Sequence, residues 1–210
     1  MSLETEEHTI RTVATDGHRL ALATLDYEVA TLPNRQVIIP RKGVLEIIRL
    51  VEYNDALVKV QIGSNHIRLL STSFIFTSKL VDGRFPDYRR VLPKGSDKAV
   101  WSSRELLKAA FSRAMILSNE KFKGVRLNLA SGELKITANN PEQEQAEEVV
   151  DVNYEGEELE MGFNVAYLID VLNVLNSQNV IFNLSDANAS ALIHAEGDES
   201  ALYVIMPMRL

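Results

Sequence analysis

The feature that most constrains this chain is an internal repeat. Residues 37–40, Val-Ile-Ile-Pro, lead into Lys42-Gly43-Val44-Leu45-Glu46-Ile47-Ile48-Arg49-Leu50. Residues 160–163, Glu-Met-Gly-Phe, lead into Ala166-Tyr167-Leu168-Ile169-Asp170-Val171-Leu172-Asn173-Val174. Each reads as a strand followed by a short amphipathic helix. Polar Lys42, Glu46, Arg49 and Tyr53 fall at the same steps as Ala166, Asp170, Asn173 and Ser177. The offset of about 124 residues has the size of a domain rather than of a solenoid turn. The match continues downstream, 58–62 with 180–184, 67–70 with 191–194 and 74–80 with 201–206, and upstream, 10–14 with 134–138.

Both units therefore share one order: strand, turn, strand, strand, helix, three strands. Alternating strands joined by tight turns such as Asp16-Gly17 predict antiparallel sheet. Helices segregated to one face of such sheets make the fold α+β. The expected domains are 1–97 and 98–210, joined near Leu92-Pro93-Lys94-Gly95-Ser96, where proline, glycine and serine mark a linker. The second unit also opens with a helix from Ser103 to about Leu117, with Ser102 and Glu105 at capping-box spacing, and a strand at 124–129. Subtracting the offset puts the first unit's counterpart of that helix before Met1. The expectation is a chain that starts inside a domain; a divergent first unit is the alternative.

Composition narrows the function classes. With 46% apolar residues the chain can bury real cores. It has no cysteine, which excludes disulfides and thiolate metal sites and fits a reducing cytoplasm. No apolar run reaches membrane-spanning length. Acidic residues outnumber basic ones, 29 to 22, which argues against an all-over basic nucleic-acid binder but not against basic residues gathered on one surface.

Catalytic signals are weak. His18 stands near Asp16 and Arg19 after a glycine turn, with no nucleophile or metal cluster nearby, so a structural or binding role is the expectation. There is no phosphate-binding loop or dinucleotide fingerprint, and no cofactor is expected. The tail Met206-Pro207-Met208-Arg209-Leu210 alternates apolar residues in strand fashion, which suits either an edge strand or an adaptable binding surface. Arg41, Lys42 and Arg49 lie in or beside one helix, and Arg104 and Lys108 share a face of another. They suit either solvated helix faces or a DNA-facing surface.

Several ordered segments resemble one family. Thr12-Val13-Ala14-Thr15-Asp16-Gly17-His18-Arg19-Leu20-Ala21 is similar to the signature hairpin of the middle domain of bacterial β sliding clamps. Phe76-Thr77-Ser78-Lys79-Leu80-Val81-Asp82-Gly83-Arg84-Phe85-Pro86-Asp87-Tyr88 is similar to the segment closing that domain. Residues 118–127, 136–142, 162–164 and the Met206–Leu210 tail resemble the last domain. The resemblance implies two repeated clamp-type domains, the middle and the C-terminal one, from a ring that holds the replicative polymerase on DNA and is not an enzyme. It implies a hydrophobic cleft for short peptides of the polymerase, the clamp loader and other proteins carrying a clamp-binding motif. The matching cleft positions are Thr15, Gly17, His18, Arg19, Leu20, Pro86, Arg90, Val91, Asn164, Tyr167, Val204, Met206, Pro207, Met208, Arg209 and Leu210. It further implies sequence-independent contact with double-stranded DNA through domain helices, and a head-to-tail homodimer of the full-length protein. Met115, Ile116 and Leu117 stand at the matching ring interface. This fragment alone is expected to be largely monomeric or weakly associated.

Overall fold

A computed structural model describes residues 1–51, 56–93 and 95–209; Tyr53, Lys94 and Leu210, named above, lie outside the described residues. Contacts divide the chain into two units, Met1–Thr15 with Leu22–Pro86, and Asp16–Ala21 with Asp87–Leu210. The short segment Asp16–Ala21 therefore packs with the second unit although the sequence places it in the first.

The first unit contains β1 (Ser2–Glu7), β2 (Thr9–Thr15), β3 (Arg19–Asp26), β4 (Leu32–Ile38), α1 (Arg41–Leu50), β5 (Lys59–Ile62), β6 (His66–Leu70) and β7 (Ile75–Lys79). Its strands run in the spatial orders β4-β1-β2-β3 and β5-β6-β7. The registered pairs, such as Leu3 opposite Thr12 and Leu69 opposite Phe76, are antiparallel. A small core gathers Ile39, Ile67, Leu69 and Leu80, with Val44, Ile47 and Phe76 against it. Gly43 lets α1 lie close to β7: a Cβ there would sit 2.8 Å from the Ser78 hydroxyl. Glycine in a helix costs about 1 kcal/mol relative to alanine, so it is kept for that approach.

The second unit contains a 3-10 turn (Tyr88–Arg90), β8 (Lys98–Ser103), α2 (Arg104–Ile116), β9 (Gly124–Ala130), β10 (Glu133–Asn139), β11 (Gln145–Asp151), β12 (Leu159–Asn164), α3 (Val165–Val174), β13 (Asn179–Leu184), β14 (Ala191–Ala195) and β15 (Asp198–Ile205). Its strands run β11-β10-β9-β12 and β15-β14-β13-β8. The first order repeats β3-β2-β1-β4 strand for strand, and β13-β14-β15 repeats β5-β6-β7. The repeat read from sequence is thus a repeat of topology. As the offset predicts, the described first unit has no counterpart of α2, and it also has none of β8.

That difference decides which apolar residues are covered. In the second unit α2 packs on α3, and Leu107, Phe111, Leu168, Leu172 and Ile193 are almost fully buried. Leu172 is 0% exposed, whereas Ile48 at the matching step of α1 is 67% exposed. Likewise Phe182 of β13 is 6% exposed and Val60 of β5 is 49% exposed.

One sequence expectation is corrected. The cap of α2 is Ser103, whose hydroxyl accepts the Leu106 amide at 3.4 Å, not Ser102. Ser102 is the buried penultimate residue of β8, because the strand runs directly into the helix and the inward-facing step cannot reach the helix's first turn. β15 ends at Ile205, and Met206 to Arg209 follow it as the tail.

Candidate functional site

The site is built around the tip of the β2–β3 hairpin. Gly17 takes φ +89°, a region open to glycine at little cost, and turns the chain tightly. Asp16 Oδ1 then accepts the amides of His18 and Arg19, both at 3.0 Å. This side-chain-to-backbone pattern fixes the turn locally.

Three contacts tie the tip to α3 and the tail, all inside the second unit. The Arg19 guanidinium lies over the Tyr167 ring, 4.2 Å from its centroid. It pairs with Asp16 at 3.0 Å and with Asp170 at 2.6 Å. The Met206 amide donates to the His18 carbonyl at 2.9 Å. Two residues on, the Met208 amide donates to the Gly162 carbonyl at 2.8 Å. The tail is therefore extended, held by alternate amides between the hairpin tip and β12.

The charges in this cluster are mutually reinforced. Burial pushes the Asp16 carboxyl upward, but hydrogen bonds from His18 and Arg19 outweigh it, and the group is held below its ordinary value. Burial opposes the Arg19 charge, yet its bonds to Asp170 and Asp16 raise it above the ordinary value. Arg19 thus stays cationic at any pH in which the protein folds.

The remaining sequence-predicted positions are of three kinds. Leu20 and Val204 are 4% and 0% exposed, so they back the site rather than line it. Val91, Pro207 and Met208 are half-buried, and Met206 is 37% exposed, giving the accessible apolar surface. Arg90 is 86% exposed and pairs with Asp87 at 2.9 Å, while Arg209 is exposed. Asn164 serves the local structure, since its Oδ1 caps α3 by accepting the Ala166 amide at 3.0 Å, and its Nδ2 donates to the Phe122 carbonyl at 3.2 Å. Thr15 and Pro86 are exposed and belong to the first unit. Leu210 lies outside the described residues. A cavity of about 20 Å³ in the second unit, lined by Val100, Leu107, Leu127 and other apolar residues, involves none of these positions.

Sequence reasoning missed Asp170. It was grouped on a helix stripe with Ala166 and Asn173, but its step of three from Tyr167 puts both on the α3 face that receives Arg19. Phe122 is 55% exposed on a turn fixed by Asn119 Oδ1, which accepts the Lys121 and Phe122 amides.

The basic candidates separate as well. Arg41 and Lys42 are exposed in the first turn of α1, which has no acidic residue. Arg49 pairs with Glu46 at 3.2 Å. Arg104 instead points its guanidinium to the Leu172 and Leu175 carbonyls at 3.2 and 2.7 Å, closing the end of α3. Lys108 is half-buried. Of the ring-interface candidates, Ile116 is 77% exposed, Leu117 is half-buried and Met115 packs against the core.

Comparison with known proteins matches residues 1–87 to the family model for the DNA polymerase III beta subunit, central domain, and residues 89–209 to that for its C-terminal domain. The chain is 59% identical to a beta sliding clamp of Proteus mirabilis and 58% identical to that of Escherichia coli K12, in each case over 100% of this chain and 57% of the relative. It superposes on the crystal structure of a DNA polymerase sliding clamp from Pseudomonas aeruginosa with TM-score 0.97 and 56% identity, covering 100% of this chain and 57% of that one. A Pseudomonas aeruginosa sliding clamp bound to griselimycin matches with the same TM-score, identity and coverage. The chain spans 57% of the length of these relatives.

Proposed function

Because the chain belongs to the DNA polymerase III beta subunit family, the bacterial β sliding clamps, we propose that it is the partner-binding portion of a processivity factor. The clamp works by topology: a closed ring on double-stranded DNA cannot leave sideways. A polymerase tethered to it is held at high effective concentration and rebinds at once. The chain's own contribution is a surface for short linear peptides of the polymerase, the clamp loader and other proteins with a clamp-binding motif. No catalytic step is assigned to it. Asp16 and Asp170 share the single positive charge of Arg19, and the group beside His18 forms no base and nucleophile pair.

One observation carries this reading. The hairpin tip, α3 and the tail meet in one rigidly bonded cluster, with Arg19 on Tyr167 and Met206 on His18, and half-exposed apolar side chains lie beside it. Apolar anchors rimmed by oriented polar groups are what peptide recognition requires. The griselimycin complex of a similar clamp is consistent with ligand binding in this family.

In the ring, DNA would pass the helices, and the contacts would be phosphate-directed and blind to sequence. Arg41 and Lys42 are the strongest candidates, because cations in a first helical turn oppose the helix dipole and so serve something other than α1 itself. Arg49 and Lys108 are secondary, and Arg104 is occupied by α3. Ring closure in the full-length homodimer would use the exposed end of α2 at Ile116, with Met115 and Leu117 supporting it. The proposed domain boundary at 97/98 leaves residues 92–96 as the joint between the two domains. The proposed role places the protein in the bacterial cytoplasm, and no described helix is long and apolar enough to cross a membrane.

The test is calorimetry with a Gln-Leu-x-Leu-Phe peptide. The expected affinity is roughly micromolar, about 8 kcal/mol. Absence of binding at millimolar peptide would refute the reading.

A further inference from the structure

We propose that the second unit carries a dry internal site for one small apolar molecule, in the cavity of about 20 Å³ beside α2. Strand register builds one wall of it. β10, β9 and β12 place Leu134, Leu129 and Leu159 in a single cross-strand row, and Leu127 faces Met161 two residues along. Alternation along the strands puts both rows on one face. Val100 and Phe182, opposite each other on β8 and β13, form the facing wall, and Leu107 of α2 completes the lining. Protein interiors leave few voids larger than a water molecule. Here the side chains of two sheets and a helix meet without filling the middle.

The lining decides what enters. The space exceeds the about 10–15 Å³ that a single water needs, but a buried water also needs about two to four polar partners. Every side chain lining the cavity is a hydrocarbon or, at Met161, a thioether. The backbone N–H and C=O groups of the flanking strands bond along their ladders, within the sheets and not into the space between them. Water entering would give up its hydrogen bonds for none. An apolar molecule has none to give up and gains dispersion contacts on every side. The ligand class is therefore a compact molecule without hydrogen-bonding groups, of the size of xenon or a short alkane. The unbranched Met161 side chain lets the wall adapt to such a guest.

The fold also provides a way in. Leu159 is half-buried at the start of β12, and Leu184 stands at the end of β13, so the cavity reaches the ends of both sheets. The segment 152–158, between β11 and β12, ties the outer edge of β8 to the β9–β10 turn. Asn153 exchanges backbone bonds with Trp101 at 2.9 and 3.1 Å, and Gly132 bonds to Val152 and Tyr154 at 3.0 and 2.9 Å. Tyr154 is buried, and its hydroxyl donates to the Glu157 carbonyl at 2.7 Å. A strap held by a few bonds opens more readily than the core of α2 and α3, which makes it the route of exchange.

Methyl NMR of the 210-residue chain under xenon tests the site. Saturable shifts are expected at the Leu107, Leu127, Leu129 and Leu134 methyls, with no transfer of magnetisation to them from water. Val100→Leu adds one methylene to the lining and should weaken xenon binding about tenfold. Met161→Ala enlarges the space, so it should bind xenon more tightly and also take benzene, read as a higher Tm of that variant with benzene than without. Tyr154→Phe frees one bond of the strap and should speed xenon exchange severalfold at unchanged affinity. No shift at the leucines, equal shifts at surface methyls such as those of Ile48 and Ile75, affinity unmoved by Val100→Leu, or water in contact with the leucine methyls would overturn the site. Unchanged exchange in Tyr154→Phe would overturn the route.

Discussion

Replacing Arg19 with alanine removes three contacts that hold the hairpin tip in the second unit. The guanidinium over Tyr167 at 4.2 Å contributes about 0.5–1 kcal/mol at a partly exposed site. The pairs with Asp16 and Asp170 look strong at 3.0 and 2.6 Å, but the carboxylates are 47% and 59% exposed. Solvent screening therefore limits each to about 0.2–1 kcal/mol. Together they give roughly 1–3 kcal/mol, acting on the docking of Asp16–Ala21 rather than on the core of α2 and α3. The direct reporter is hydrogen exchange at the Met206 amide, whose acceptor is the His18 carbonyl. Its opening free energy should fall by about 1–3 kcal/mol, while amides in α2 keep theirs. A double-mutant cycle with Tyr167→Leu should show coupling of about 0.5 kcal/mol or more. Unchanged Met206 protection, or coupling below about 0.3 kcal/mol, would refute the view that Arg19 latches the site.

Deleting residues 206–210 removes the accessible apolar wall together with both tail hydrogen bonds, and should weaken peptide binding by at least about 2 kcal/mol in calorimetry, whereas Lys42→Ala with Arg49→Ala should leave it unchanged. Leu172→Ala empties a fully buried position and should cost about 2–5 kcal/mol in urea unfolding, while Ile48→Ala at the matching step should cost about 0.5 kcal/mol or less. Since the Asp16 carboxyl is held below its ordinary 3.8, its stabilisation is complete above that value and lost as pH falls through the depressed one. NMR of the His18 and Arg19 amides should therefore stay constant from neutral pH to about pH 4 and shift only below it. Arg104→Ala should fray the end of α3, with a loss of about 1–3 kcal/mol read by amide exchange near Leu175, because two carbonyls lose their donor.

Much of the fold was determined by the sequence itself. Alternation and helical periodicity are local properties, and comparing Lys42–Leu50 with Ala166–Val174 needed no coordinates. The repeat, its strand order and the extra helix of the second unit follow from that comparison. The tail was legible as a candidate binding segment because Met-rich ends are adaptable, whereas the hairpin entered the candidate site through the family resemblance. Tertiary structure alone decided which side chains meet. Arg19 and Asp170 are far apart in the chain, and nothing in either segment shows that one neutralises the other. The same holds for Arg104, which reads as a free surface cation yet bonds the Leu172 and Leu175 carbonyls, and for Leu20 and Val204, which read as pocket wall yet are buried. Whether Ile48 or Leu172 is covered likewise depends on a neighbouring helix and not on the residue. Periodicity states which face of an element is apolar, and only packing supplies what lies against it.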